Sequence, residues 1–399
     1  MRLSTSQFYD RGLSAMLDQQ SVLSKTQLQI STGRRILTPS DDPVGAANVI
    51  DLSQGIARTN RYQANGVQAR ARLSFEENIF GQASELLQRV RELAVAGNSD
   101  TNNAEGRTAM AVEVSGRLEE LMAMGNARDP NNGYIFSGYQ NQVQPFVRDA
   151  AGNVSYVGDQ GQRFVQIGAA TQIATGDAGS DVFVAIRNGN GTFATAEAAA
   201  NTGSGIIDPG SVVDLALWVP DTYTITFLTP TTYEVRDGAA ALVTAGVYQS
   251  GTAISFNGVQ VGIIGNPNAA DQFTVSASVN KDVFATVKDL VNALKTSAAD
   301  VASKAHFHNA MNRVLSDLDQ AMGNINEYRA RVGTRLTTVD ANDTIHQDLL
   351  LQLEGVRSEI QDLDYAEAAS RLSRQQLALE ASQQTFVKVQ GLQLFNFLR

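Results

Sequence analysis

The chain contains no cysteine and very little histidine. Among its 399 residues there are no Cys, three His and one Trp. The lack of thiols excludes disulfide bonds, thiolate metal sites and a cysteine nucleophile. His306 and His308 lie two positions apart in a predicted helix, where side chains do not face each other, so they would chelate a metal poorly. We therefore predict that they are exposed helix residues, and we expect neither a metal nor a cofactor.

Positive charge is also scarce. The chain has 31 Lys and Arg against 41 Asp and Glu, which gives a formal net charge of -10. Nucleic acids and anionic membranes are bound by basic surfaces, so neither is expected to be a partner. The deficit is concentrated in residues 145–280, which hold four Arg, no Lys and eleven Asp or Glu. This imbalance is typical of a solvated, acidic surface module.

Long apolar runs and enzyme motifs are missing as well. No segment approaches the roughly 18 apolar residues of a membrane helix, and residues 1–10 lack the pattern of a cleaved secretory signal. These features fit a cytoplasmic protein or one exported without a signal peptide. Phosphate-loop, dinucleotide-binding, nucleophile-elbow and zinc-protease motifs do not occur. Asp41 and Asp42 could act as paired carboxylates, but the adjacent Pro43 favours a capping role, and no enzyme is predicted.

Several segments carry apolar residues at alternating steps of four and three. This spacing keeps one apolar stripe of a helix turned towards a partner helix, as in a coiled coil. The stripes are Ile79, Ala83, Leu86, Val90 and Leu93; Val114, Leu118, Leu121 and Gly125; and Val339, His346, Leu349, Leu353, Val356, Ile360 and Leu363. We interpret His346 as a tolerated polar core position, with a pH-sensitive contact as the alternative. The stripes are predicted to bury one another.

Helical and strand patterns follow one another along the chain. Helices are predicted over residues 5–33, 43–97, 104–125, 282–296 and 302–363, followed by a C-terminal helical segment. A period of two predicts one hairpin from Val154 and Tyr156 with Phe164–Ile167, and another from Thr224–Leu228 with Tyr233 and Val235. Residues 251–279 continue this β pattern, whereas the Ala-rich run 194–200 and Gly203–Gly210 are predicted to be loops. Trp218 is predicted to lie in the core of this region.

This order of elements predicts an α+β fold. Its main part is a long antiparallel, coiled-coil-like helical rod formed by both chain ends, with β-hairpins and an inserted all-β outer domain. We predict terminal helices in 1–42 and 365–399 that are disordered until assembly, a rod domain of 43–187 and 280–364, and an outer β domain of 188–279.

Both ends of the chain carry apolar stripes that lack an evident partner. The stripe in residues 5–33 is thin, and the one in the C-terminal segment is wide. Since an apolar surface at a chain end has to be covered, we predict that both segments form subunit interfaces, with a buried helix within one chain as the alternative. The predicted interface residues are Leu13, Met16, Leu23, Ile30, Leu372, Leu379, Phe386, Leu394, Phe395, Phe397 and Leu398.

Four segments carry a family resemblance. They are LQISTGRRILTPSDDPVGAANVIDL at 28–52, NGYIFSGY at 132–139, YRARVGTRLTTVD at 328–340 and LQLFNFL at 392–398. Together they resemble the flagellin superfamily, and within it the proteins of the hook–filament junction. The PSDDPVGAA form and the LFNFL ending are more similar to junction proteins than to filament subunits.

The resemblance implies an extracellular structural subunit of the bacterial flagellum. Such a subunit is exported unfolded by the flagellar type III route, without a cleaved signal peptide, and a cytoplasmic chaperone holds its C-terminal region. It then assembles as a ring of identical copies between hook-associated protein 1 and flagellin. The resemblance also places the two terminal segments together in an inner tube, with the rod around them and the acidic β module outside.

Two alternatives stay open from the residues alone. One is a flagellin-type filament subunit, which shares the helical ends. The other is a secreted binding module or adhesin that grips a ligand with the β domain, although no cluster of aromatic or charged residues in 188–279 marks a ligand site.

Overall fold

In the part of the chain that the structure describes, six helices form the two ends and flank a region of strands. The computed structural model describes the backbone of residues 5–396 and the side chains of residue 7 and residues 9–388. The helices are α1 (Thr5–Thr32), α2 (Pro43–Gly97), α3 (Ala104–Gly125), α4 (Val283–Lys295), α5 (Val301–Gln361) and α6 (Tyr365–Asn396). The bounds of α1 to α5 lie within two residues of the predicted spans, and the α+β fold with helical ends is confirmed.

Local capping explains where several helices begin. Asp42 precedes α2, and its Oδ1 accepts the Gly45 N–H at 2.8 Å, with Pro43 at the first helical position. Asn103 Oδ1 accepts the Gly106 N–H at 2.8 Å before α3, and Asp282 Oδ1 accepts the Ala285 N–H at 2.6 Å before α4. The predicted capping role of Asp42 is therefore confirmed.

Fifteen short strands lie between α3 and α4. They are β1 (Phe146–Arg148), β2 (Val154–Tyr156), β3 (Phe164–Gln166), β4 (Gln172–Ala174), β5 (Ile186–Arg187), β6 (Phe193–Glu197), β7 (Ile206–Ile207), β8 (Ser211–Val212), β9 (Thr222–Thr229), β10 (Thr232–Arg236), β11 (Leu242–Val247), β12 (Ala253–Phe256), β13 (Val259–Ile264), β14 (Gln272–Ala277) and β15 (Asn280–Lys281). A π-helical turn, Ser180–Val184, precedes β5. The larger antiparallel sheet has the order β11-β10-β9-β14-β6, and a smaller one places β12, β7 and β8 against β13.

Three of the predictions for the β region are wrong. Strands β2 and β3 do not form a hairpin, because β2 pairs with β1 and β3 pairs with β4. The segment between β2 and β3 binds instead to residues 136–139. Tyr156 Oη donates to the Phe136 carbonyl at 2.9 Å, and Asp159 Oδ1 accepts the Tyr139 N–H at 2.9 Å. The Ala-rich run 194–200 is not wholly a loop, since its residues 194–197 belong to β6, which pairs with the distant β14. The predicted loop Gly203–Gly210 contains the short strand β7, which pairs with β13. The hairpin of β9 and β10 is confirmed.

The chain divides into two compact units. One comprises Met1–Ala64 and Asn342–Arg399, and the other comprises Asn65–Ala341, so the boundary falls within α2 and within α5. We call them the terminal unit and the central unit.

The central unit contains two hydrophobic cores. The first joins α2, α3, α4 and α5, and it buries the predicted stripes of α2 and α3. The second lies within the larger β region and includes Phe193, Phe227 and Phe273. Trp218 was predicted to lie in the core, but it is half-buried and packs against the core from outside, with its ring 5.6 Å from that of Phe193 and 5.7 Å from that of Tyr223.

A line of polar side chains on α5 positions the second core within the central unit. The buried Asn309 accepts the Ile207 N–H at 2.8 Å and donates to the Gly205 carbonyl at 3.0 Å. Asp317 accepts the Gly189 N–H at 2.8 Å and pairs with Lys281 at 2.9 Å. These contacts replace the water that would otherwise solvate the backbone of the β region at this face.

The two neighbouring histidines are half-buried rather than exposed. His306 Nε2 lies 3.1 Å from the Asn201 carbonyl, and His308 Nδ1 lies 2.8 Å from Asn98 Oδ1. The prediction of exposed helix positions is wrong because loops cover this end of α5. Within residues 5–396 no group of three or more His, Asp or Glu side chains could hold a metal ion. None of the helices described there combines the length and apolar character that crossing a membrane requires.

Candidate subunit interface

In the terminal unit, the connection between α1 and α2 pairs with the connection between α5 and α6. Gly33, at a positive φ of 66° that suits glycine, ends α1 and accepts the Leu363 N–H at 3.0 Å. The Arg35 N–H donates to the Gln361 carbonyl at 2.7 Å, and the Arg35 guanidinium donates to the Ile360 carbonyl at 2.7 Å. These bonds satisfy carbonyls at the end of α5, where the helix leaves them without an internal partner.

Asp41 organises the turn that leads into α2. Its side chain receives Lys25 Nζ at 2.6 Å and the N–H groups of Leu37 and Thr38, each at 3.1 Å. The Lys25 ammonium and then the Thr38 N–H lower the pKa of Asp41 to about 2. Asp41 and Asp42 therefore shape a turn and a helix start, and the paired-carboxylate interpretation is not supported.

Helices α1 and α6 pack against each other through their apolar stripes. The rings of Tyr9 and Phe386 meet edge to face at 6.0 Å. A Cβ placed on Gly12 would lie 3.2 Å from Phe386 Cδ2, so glycine permits the close approach of the two helices. The premise that the two terminal stripes have no partner within the chain is therefore wrong for this pair of helices.

The predicted interface residues fall into three groups. Leu13 is half exposed at 50%. Six others are half-buried: Met16, Leu23, Ile30, Leu372, Leu379 and Phe386. The side chains of Leu394 and Phe395, and residues Phe397 and Leu398 altogether, lie outside the described part of the chain.

The terminal unit exposes far more large apolar side chains than it buries. The exposed ones are Leu13, Leu17, Val22, Leu28, Val44, Ile50, Ile345, Leu349, Leu351, Val356, Tyr365, Leu377 and Val387. Among the described residues of this unit, the buried hydrophobic ones are only Ile36, Ile56, Leu363 and Ala368. A surface so rich in apolar groups is typical of one that is covered in an assembly.

Sequence reasoning found part of this surface and missed another part. Leu17, Val22 and Leu28 lie off the seven-residue stripe of α1 and were not predicted, although they are apolar residues on a helix with few of them. The C-terminal stripe also divides in the structure. His346 is buried and stacks on Tyr62 at 5.8 Å, whereas Leu349 and Val356, expected to pack on a partner helix, are exposed at 39% and 40%.

Two family models match the ends of the chain. The bacterial flagellin N-terminal helical region matches residues 4–141, and the bacterial flagellin C-terminal helical region matches residues 315–398. Flagellar hook-associated protein 3 of Escherichia coli (strain K12) is 24% identical over 397 residues, which cover 99% of each chain. The sequence similarity therefore includes the β region between the two helical ends.

Solved structures give a closer comparison. FlgL of Xanthomonas campestris is 32% identical with a TM-score of 0.72, covering 77% of this chain and 99% of that one. The flagellar junction protein FlgL of Legionella pneumophila is 31% identical with a TM-score of 0.74, covering 79% of this chain and 99% of that one. Similarity of sequence and similarity of fold thus point to the same group of proteins.

Proposed function

Because this chain belongs to the flagellin family, in the group of the FlgL junction proteins, we propose that it is a structural subunit of the bacterial flagellum that joins the hook to the filament. The observation that carries this proposal is the full-length similarity to proteins named flagellar hook-associated protein 3. The exposed apolar surface of the terminal unit supports it, since a junction subunit needs surfaces that only neighbouring copies cover.

The terminal unit supplies the contacts between copies in this proposal. Helices α1 and α6 first pack on each other through Tyr9 and Phe386, and their outward apolar residues then meet neighbouring subunits. The predicted interface residues Leu394, Phe395, Phe397 and Leu398, whose side chains lie outside the described part of the chain, belong to the same proposal. The proposal also includes a three-part organisation. Residues 1–42 and 365–399 lie inside, the rod of 43–187 and 280–364 lies around them, and the β domain 188–279 lies outside. The separate core of the β region supports the last division.

The proposed partners follow from the same family membership. A ring of identical copies would contact hook-associated protein 1 on one side and flagellin on the other. Export by the flagellar type III route, with a cytoplasmic chaperone on the C-terminal region, would bring the chain to the outside of the cell. A filament-subunit role is the alternative within the family, and a ligand-binding role of the β domain is the alternative outside it.

The decisive experiment is to delete the gene and to locate the protein in the complemented strain. Electron microscopy of the deletion strain should show hooks without filaments, and flagellin should accumulate in the medium. Gold-labelled antibodies against the restored protein should mark one site where each filament begins. Label along the whole filament would favour the filament-subunit alternative, and label over the cell surface would favour the binding module.

A further inference from the structure

The central unit contains a cavity lined by two arginines and no carboxylate. The cavity has a volume of about 510 Å³ and lies between α2 and the β3–β4 hairpin, with Arg72, Arg163 and Thr175 in its lining. We call it the Arg72–Arg163 pocket.

Arg72 is incompletely partnered. Its side chain is only 19% exposed, and its buried Nε donates to no acceptor among the described residues. The nearest carboxylate oxygen, Asp129 Oδ2, is 3.6 Å from Arg72 Nη1, which exceeds a normal hydrogen bond. The other oxygen, Asp129 Oδ1, already accepts the N–H groups of Asn131 and Gly133, each at 2.9 Å. Asp129 therefore gives Arg72 one long ion pair through Oδ2, whereas Arg72 Nε keeps no acceptor among the described residues.

Arg163 adds a second positive charge at the same cavity. It donates to the Tyr139 carbonyl at 2.8 Å, which holds the guanidinium in place but does not neutralise it. Burial lowers the pKa of Arg72, the negative charge of Asp129 opposes that shift, and the positive charge of Arg163 adds to it. Two guanidinium groups that repel each other across a cavity would both be stabilised by one carboxylate, which arginine binds with paired hydrogen bonds.

The rim of the pocket resembles the centre of a protein interface. Phe164 is 58% exposed and Tyr139 is 61% exposed, and both line the cavity. Aromatic residues and arginine are the types enriched where proteins bind each other. A neighbouring copy of this chain can supply the carboxylate, since residues 145–280 contain eleven acidic residues and only four basic ones.

We propose that the Arg72–Arg163 pocket binds a carboxylate side chain of a neighbouring copy of this chain, with Phe164 and Tyr139 packing around it. This inference rests on the proposed function in one respect: assembly of the junction brings identical copies side by side. It places a specific contact of the central unit in the ring, in addition to the apolar contacts of the terminal unit.

Carboxylate binding is tested first on the purified full-length protein, independently of the flagellum. Acetate, which mimics an Asp or Glu side chain, should shift the NMR signal of the Arg72 Nε–H group, and chloride at equal ionic strength should not. The acetate shift should be lost in Arg163→Gln. No acetate shift, or an equal shift with chloride, would show that the pocket does not recognise carboxylates.

Assembly is tested with Arg163→Glu in a strain that lacks the gene. The variant should be exported and melt like wild type, while the fraction of cells with filaments falls by roughly tenfold or more, because a buried like charge opposes docking. Arg187→Glu is the matched control, since Arg187 also donates to a backbone carbonyl, that of Ser278 at 2.7 Å. Normal filaments in Arg163→Glu would overturn the inference. Filaments in the strain that lacks the gene would instead refute the proposed function.

A photo-reactive residue identifies the source of the carboxylate. Phe164→p-benzoylphenylalanine places the reactive group at the rim of the pocket without removing an aromatic ring. Irradiation of assembled flagella should yield a product of two copies of this chain. A product with flagellin or another protein, or no product, would overturn the assignment to a neighbouring copy.

Discussion

At the scale of single residues, Glu76 shows how burial alters the protonation of a carboxyl group in the helical core. Its side chain is fully buried, and Oε1 accepts the Asp177 N–H at 2.9 Å. Oε2 has no hydrogen-bond partner among the described residues. Burial, and then the negative charge of Asp177, raise the pKa of Glu76 to about 8. Asp177 itself is held by Arg335 through two bonds of 2.7 and 2.9 Å.

Replacing Glu76 should make stability less dependent on pH. The unfolded chain releases this proton near the ordinary value of 4.5, whereas the folded chain keeps it to about pH 8, so the free energy of unfolding of wild type falls between those values. Each unit of pKa difference corresponds to about 1.4 kcal/mol. In urea titrations, the free energy of unfolding of Glu76→Gln should therefore equal that of wild type near pH 4 and exceed it above pH 8. Glu85→Gln, at an exposed position of α2, is the control, and equal pH slopes for wild type and Glu76→Gln would contradict the prediction.

At the scale of elements, two glycines of α3 have opposite roles. Gly125 is buried at the end of the stripe, and a Cβ there would lie 2.8 Å from Phe146 Cδ2. Gly116 is exposed, and a Cβ there would meet nothing within 4 Å. The first glycine permits close packing, whereas the second only weakens the helix.

Alanine substitutions separate these roles within one helix. Gly125→Ala should lower the free energy of unfolding by about 1–3 kcal/mol because the ring of Phe146 has to move. Gly116→Ala should raise it by up to about 1 kcal/mol through helix propensity. Thermal and urea unfolding of both variants provide the measurement. A stabilised Gly125→Ala would show that the contact between α3 and Phe146 is loose.

At the scale of the whole molecule, the β module is expected to be dispensable for assembly. Its two ends meet where β5 pairs with β15, and the Asn188 N–H donates to the Val279 carbonyl at 3.0 Å, so residue 187 can be joined to residue 280 over a short distance. The shortened chain should fold and support filaments in the strain that lacks the gene. Asn309 would lose its hydrogen-bond partners with the module. Adding Asn309→Ala to the shortened chain should therefore leave its free energy of unfolding unchanged. A stable, exported variant without filaments would place the module in the junction itself.

The C-terminal apolar residues should be essential for assembly and nearly neutral for the free chain. Replacing Leu394, Phe395, Phe397 and Leu398 with Ser removes side chains whose burial between copies would contribute roughly 1.5–3 kcal/mol each. Melting temperature and secretion should stay at wild-type levels while filament counts fall and flagellin is shed. Gln390→Ser with Gln393→Ser is the control for helix propensity. A large drop in melting temperature would show that these residues pack within one chain.

The sequence by itself determined the helices and the family. The bounds of α2 and α3 match the predicted 43–97 and 104–125 because their signals are local: caps such as Asp42, and stripes that repeat every seven residues. Strand pairing and side-chain partners were decided only by the tertiary structure, because they depend on residues far apart in the chain. The run 194–197 becomes a strand because β14 lies beside it, and Glu76 is buried because the segment around Asp177 covers it. In the same way, only the packing of α1 on α6 decides that Tyr9 turns inwards while Leu17 and Leu28 stay exposed.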